Sequence, residues 1–239
     1  MSMSTLWALL VVGGFAIQPP GQFHGDEPVA RDGESWLALH VDDNRALLVA
    51  TALKVSAVHD EILDEAGART GLEVSSQDGN GVIAYLRGDG LKAGAIDSAV
   101  VASMDPVTAG LPYELTFRGQ LYRLSSHCEE LPRDARAQQD ALAQQPQFDC
   151  RIELRTGDHA QVLSQLSGYR EPQATTMSLG DDASPTLLFA GDLDRDGKLD
   201  LIFNTTDHYN VSRPTLFLSS QSKPGELLHE VAQYESVGC

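Results

Sequence analysis

Thr186-Leu-Leu-Phe-Ala-Gly-Asp192-Leu-Asp194-Arg-Asp196-Gly-Lys198-Leu-Asp200-Leu-Ile-Phe203 is the stretch from which the fold is read. Its two ends, 185–190 and 199–203, are short apolar runs of the kind that form buried strands. Between them four carboxylates stand at spacings of two, two and four residues. Hard cations take six to eight oxygen ligands, and carboxylates two apart in a tight loop converge on one point. Gly197 permits the sharp turn that aims the next carbonyl inward. The expected ligands are the side chains of Asp192, Asp194, Asp196 and Asp200, with the backbone C=O of Lys198. The competing reading is an acidic hairpin turn without metal. Four carboxylates drawn together with no cation would repel one another, which favours the ion.

An EF-hand does not fit these residues. It needs a bidentate Glu at loop position 12, where this chain has Phe203, and it needs helices on both sides. Strand, acidic loop and strand, with the last ligand at position 9, resembles the calcium loop of integrin-type FG-GAP repeats. The resemblance implies Ca²⁺ at 192–200, acting as a staple between two strands and specifying no reaction.

The rest of the 239-residue chain is long enough for one large β domain or two small ones. Its 34 acids against 17 bases give a net charge of −17. Such a surface repels nucleic acid and anionic lipid heads; it either draws in a basic partner or is simply that of a soluble acidic protein, which charge alone does not separate. Leu6 to Ile17 is an apolar run of signal-peptide length, too short to span a bilayer comfortably. Gly14-Phe15-Ala16 supplies small residues at −3 and −1, so residues 1–16 read as a leader cut after Ala16, although Met1 to Thr5 carries no Lys or Arg. The expected location is periplasmic or secreted. No Cys follows the apolar run, so membrane anchoring through a lipid is unsupported. Residues 17–33, rich in Gly and Pro, read as an extended linker.

From Glu34 to the end the pattern is that of a single β domain. Strands are expected around 36–41, over 47–58 as one long strand or two, and at 71–75, 82–87, 96–102, 113–118, 121–125, 148–155, 160–166, 214–219 and 227–234. Clusters of Gly, Asp and Asn separate them. A spacing of about 8–12 residues between strands marks an all-β array of antiparallel sheets, sandwich or propeller-like. One segment departs from it. Residues 133–145, rich in Ala and Gln, predict a short helical insertion stopped by Pro146. Cys128 and Cys150 flank that insertion. A bridge between them would contribute ~3 kcal/mol and fits an oxidising compartment. With Cys239 present, three single pairings remain open.

Carboxylate pairs of the glycosidase kind abound and leave a hydrolase as a further reading, but an acid-rich chain produces such pairs by chance. The seven histidines are scattered, and there is neither a nucleophile elbow nor a phosphate-binding Gly loop. Asp60, Glu61, Asp64 and Glu65 read as a solvated turn. His127 beside Cys128 on a strand points to the opposite face. The chain is therefore not expected to be an enzyme. Two polar segments look suited to contact instead. Ser167-Gly168-Tyr169-Arg170 puts an aromatic and a charge on a Gly/Pro-bounded tip, where Tyr offers contact area at low entropy cost. The alternative is a strand-edge tyrosine packed on its own sheet. His208, Tyr209 and Asn210 follow the acidic hairpin and form a second candidate loop, near the metal or a plain connection.

Phe189 to Phe203, then His208-Tyr209-Asn210, Pro214-Thr-Leu-Phe-Leu-Ser-Ser220, Gly225 and Val237-Gly-Cys239 resemble a group of bacterial periplasmic immunity lipoproteins. Those proteins accompany antibacterial effectors of type IV secretion systems and are similar in structure to periplasmic inhibitors of invertebrate-type lysozyme. The resemblance spans about residues 185–239. It implies a propeller-like β fold, a calcium loop, and inhibition of a peptidoglycan hydrolase, a basic partner. It also implies an inhibitory tyrosine loop, for which 167–169 is the matching segment. The missing lipobox cysteine is a departure. A different class of function, a calcium-dependent adhesion or glycan-binding module, would use the ion to contact the ligand.

Overall fold

A computed structural model of the chain describes residues 14–42, 45–77, 81–102, 104–132, 146–171, 174 and 176–238. The expected helical insertion at 133–145, Cys239 and most of the leader lie outside these residues. The protein is all-β, and no helix occurs among the described residues. Its strands, numbered in chain order, fall into antiparallel sheets.

The central sheet holds the quoted stretch. β15 (Thr186–Gly191) pairs with β16 (Asp200–Asn204), β16 with β18 (Pro214–Leu218), and β18 with β19 (His229–Gln233). β15, β16 and β18 are almost continuously apolar because both their faces are covered, whereas the edge strand β19 is mixed and half-exposed. Leu187, Ala190, Leu201, Phe203 and Phe217 face one neighbouring sheet. Phe189, Ile202, Leu216 and Leu218 face the other. Side chains alternate along a strand, so consecutive residues Leu201, Ile202 and Phe203 serve two different cores.

On the first side lies a six-stranded sheet in the order β14 (Ser178–Leu179), β13 (His159–Tyr169), β12 (Gln147–Thr156), β11 (Gln120–Glu130), β10 (Tyr113–Phe117) and β9 (Val100–Val101). It presents Leu115, Phe117, Leu124, Ile152 and Leu154 to the central sheet. Cys128 and Cys150 face each other across β11 and β12 and form the disulfide.

On the second side lies a five-stranded sheet in the order β1 (Ala16–Gln18), β7 (Val82–Arg87), β3 (Ser35–Asp42), β4 (Arg45–Ala52) and β8 (Gly94–Ile96). Leu39 and Leu86 point to the central sheet. Trp36, Ala38 and Tyr85 point outward to a small sheet of β2 (Gly21–Phe23), β6 (Gly71–Ser75) and β5 (Lys54–Val58). The apolar run 47–58 is thus two strands in two sheets, parted at Leu53. β17 (Val211–Ser212) and β20 (Ser236–Val237) form a short ribbon.

Two expectations need correction. Residues 17–33 are part of the domain, not a linker: Ile17 is 1% exposed, and the buried Gln18 side chain accepts hydrogen bonds from the N–H groups of Val29 (2.9 Å) and Ala30 (3.3 Å). The turn after β5 is only partly solvated. Asp60 meets the His24 ring at 2.5 Å and caps the N–H groups of Ile62 and Leu63, while Asp64 binds Thr70; both carboxylates are buried. Glu61 and Glu65 are exposed as expected.

Candidate metal centre and binding ledge

β15 ends at Gly191 and β16 begins at Asp200, so the ladder itself brings the two ends of the acidic loop together. Gly197 (φ 90°) and Arg195 (φ 64°) make the reversals between them. Ligand oxygens of Asp192, Asp194 and Asp200 lie within 4.8 Å of one another. Asp196 sits beside this trio. It accepts the Lys198 N–H at 2.8 Å and lies 3.0 Å from the Ser219 hydroxyl. Lys198 reaches the cluster through that amide.

Burial governs the electrostatics. Asp192 is 2% exposed and Asp200 fully buried. Burial pushes the Asp200 carboxyl up to about 7, Asp194 adding to the shift, against the lowering effect of bonds from Ser219 and Leu193. Burial also raises Asp192, opposed by the Gly197 amide and by Arg118. The two Asp192 oxygens differ. Oδ2 accepts the Gly197 N–H at 3.0 Å and lies 3.3 Å from the Arg118 guanidinium. Oδ1 is buried with no hydrogen-bond partner. A buried carboxylate oxygen left unsatisfied is costly, and a cation within the trio would satisfy it. The donor set is oxygen only, which suits a hard divalent ion.

The surroundings come from parts of the chain that the loop sequence does not announce. At the end of β18, Ser219 donates its N–H and hydroxyl to Asp200 (2.8 and 3.0 Å), and the Ser220 hydroxyl bonds Asp194. The Asp192 N–H bonds the Asp97 carbonyl at 2.9 Å, and the Arg195 guanidinium bonds the Ala95 carbonyl. Arg118, between β10 and β11, grips Asp97 at 2.6 Å. Ser-Ser directly after an apolar strand was the one local hint of this shell; Asp97 and Arg118 gave none.

The second candidate region lies at the other end of β16. Ser167, Gly168 and Tyr169 are the last three residues of β13, paired with β12 on one side, and the latter two with β14 on the other. They are strand, not a loop tip. The buried Gly168 leaves room for the Cys150 sulfur, where a Cβ would collide. The Tyr169 hydroxyl donates to Asp182 Oδ1 at 2.7 Å, a bond that raises the phenol pKa. Arg170 is exposed and covers the Phe148 ring.

His208 and Tyr209 do not adjoin the acidic cluster. They leave β16 at its Asn204 end and meet the turn after β14. His208 Nε2 lies 3.0 Å from Asp181 Oδ2, and the Tyr209 N–H bonds the Asp181 carbonyl at 2.8 Å. The turn takes positive φ at Gly180 (57°) and Asp182 (51°), and a Cβ at Gly180 would run into the Asp207 carbonyl. Asp181 and Asp182 thus join two segments far apart in sequence, Tyr169 on one flank and His208–Tyr209 on the other. The His208 and Tyr209 rings stack at 4.5 Å, and Tyr209 is 69% exposed. The result is an exposed aromatic ledge edged with carboxylates. No protein-family model, no curated protein and no solved structure matches this chain.

Proposed function

We propose that this protein is an exported, calcium-stapled inhibitor that binds a basic peptidoglycan hydrolase and protects the cell that makes it. The reading rests on the ledge. Tyr169 and Tyr209, on segments widely separated in sequence, are held to one turn by Asp182 and Asp181.

The parts then act as follows. The net charge of −17 steers a cationic enzyme toward the protein. Tyr209 enters the sugar cleft as a flat apolar wedge, and Asp181 and Asp182 meet basic residues at its rim. Asp192, Asp194 and Asp200 hold Ca²⁺, with Asp196, Ser219 and Ser220 around them. The ion is remote from the ledge and serves the fold by fixing the loop between β15 and β16. The disulfide suits an oxidising compartment such as the periplasm.

The test is clearing of a turbid cell-wall suspension by basic muralytic enzymes, with and without the purified protein. Inhibition that saturates at equimolar protein supports the proposal. If no hydrolase is inhibited and Ca²⁺-dependent attachment to glycan is found instead, the adhesion reading replaces it.

A further inference from the structure

Arg118 occupies an unusual place. β10 and β11 are joined by the two-residue turn Arg118-Gly119, the flanking residues Phe117 and Gln120 being the last pair of the ladder. Both turn residues have positive φ, 47° and 79°. Such turns favour Asn, Asp or Gly at the first position, because a long side chain gains nothing from that backbone. Here the side chain does have a use outside the turn. Its guanidinium reaches Asp97 at 2.6 Å and Asp192 Oδ2 at 3.3 Å, and it approaches so closely to Gly197 that a Cβ there would crowd it.

We infer that Arg118 is a resident counter-cation of the acidic loop and sets its affinity for Ca²⁺ by competing with the ion. The inference rests on the calcium reading above. Two cations that share one cluster of carboxylates oppose each other: each is held more firmly when the other is absent. An outer residue can also strengthen a metal site by orienting a ligand. That contribution is small here, because Asp192 is already fixed without Arg118. Its N–H bonds the Asp97 carbonyl and its Oδ2 accepts the Gly197 N–H. Repulsion therefore decides the sign. Arg118 holds the loop together when calcium is scarce and keeps the site from binding too tightly when it is abundant.

Calcium titration of the chelator-stripped full chain by calorimetry tests this. Arg118→Asn removes the charge and suits the turn, so folding is preserved. The variant should bind Ca²⁺ about three- to tenfold more tightly than wild type at low salt, with the gap narrowing at about 0.5 M salt. In chelator its melting temperature should fall below that of wild type. Asp97→Asn frees Arg118 toward the loop and should weaken Ca²⁺. Arg123→Gln, an arginine paired instead with Glu114, should leave the affinity unchanged. Equal or weaker binding by Arg118→Asn overturns the inference while the calcium site stands. Absence of binding by wild type overturns both.

Discussion

Asp200 Oδ1 accepts the backbone N–H of Ser219 at 2.8 Å and faces its hydroxyl at 3.0 Å, with no exposure to solvent. The first residue of β16 is thereby tied to the residue that follows β18. The acidic loop is held by the sheet as well as by its own turns. Ser219→Ala leaves a buried carboxylate one donor short and should cost about 1–2 kcal/mol, read as a shift in the urea midpoint. No loss of stability would show that the hydroxyl is idle.

Removal of the proposed calcium should matter more at high pH than at low. Without a cation, burial pushes the Asp200 carboxyl up to about 7, above its unfolded range. Between those values the folded chain holds a proton that the unfolded chain has released, so this group makes stability fall as pH rises. Calcium requires the carboxylate and expels the proton. The rise in melting temperature on adding Ca²⁺ should therefore be larger at about pH 8 than at about pH 5.5. Equal shifts at both would contradict it.

Phe15 and Ala16, the last two residues of the expected leader, are part of the fold. Phe15 packs over Gly88, where a Cβ would collide with its ring, and Ala16 pairs with Arg87. A chain beginning at Ile17 loses both and places an amine beside a residue that is 1% exposed. It should be less stable than one beginning at Phe15 by about 2 kcal/mol, measured by denaturant unfolding of the two products. Equal stability would mean that the β1 edge contributes little.

Gly180→Ala sets the ledge against the fold. The methyl meets the Asp207 carbonyl and the backbone is left-handed, so the turn carrying Asp181 and Asp182 must shift. The variant should lose about 1–3 kcal/mol and bind its partner more weakly even where it is fully folded. Unchanged inhibition would remove the turn from the account.

Much of this architecture was legible in the sequence because the strands announce themselves locally. Val82–Arg87 and Gly71–Ser75 have the bounds their apolar and β-branched residues suggest, and the doubly buried β15 and β16 read as continuous apolar runs. Segments whose partners are remote were not legible. Gln18 looks like a linker residue until Val29 and Ala30 fold onto it. Tyr169 looks like a loop residue because Gly168 precedes it, yet that glycine makes room for a disulfide, not a turn. Of the candidate metal centre, the aspartates could be read from their spacing. Ser219, Asp97 and Arg118 could not, since sheet packing alone brings them there.

The most direct measurement is a stoichiometric titration of a basic peptidoglycan hydrolase with the calcium-loaded protein, beside Tyr209→Ala and Tyr169→Ala. Inhibition should be complete at one equivalent. Affinity should fall about tenfold or more for Tyr209→Ala, as for an anchor residue, and less for Tyr169→Ala, whose hydroxyl already serves Asp182. Inhibition by both variants at wild-type strength, with their folds intact, would contradict the ledge as the binding site.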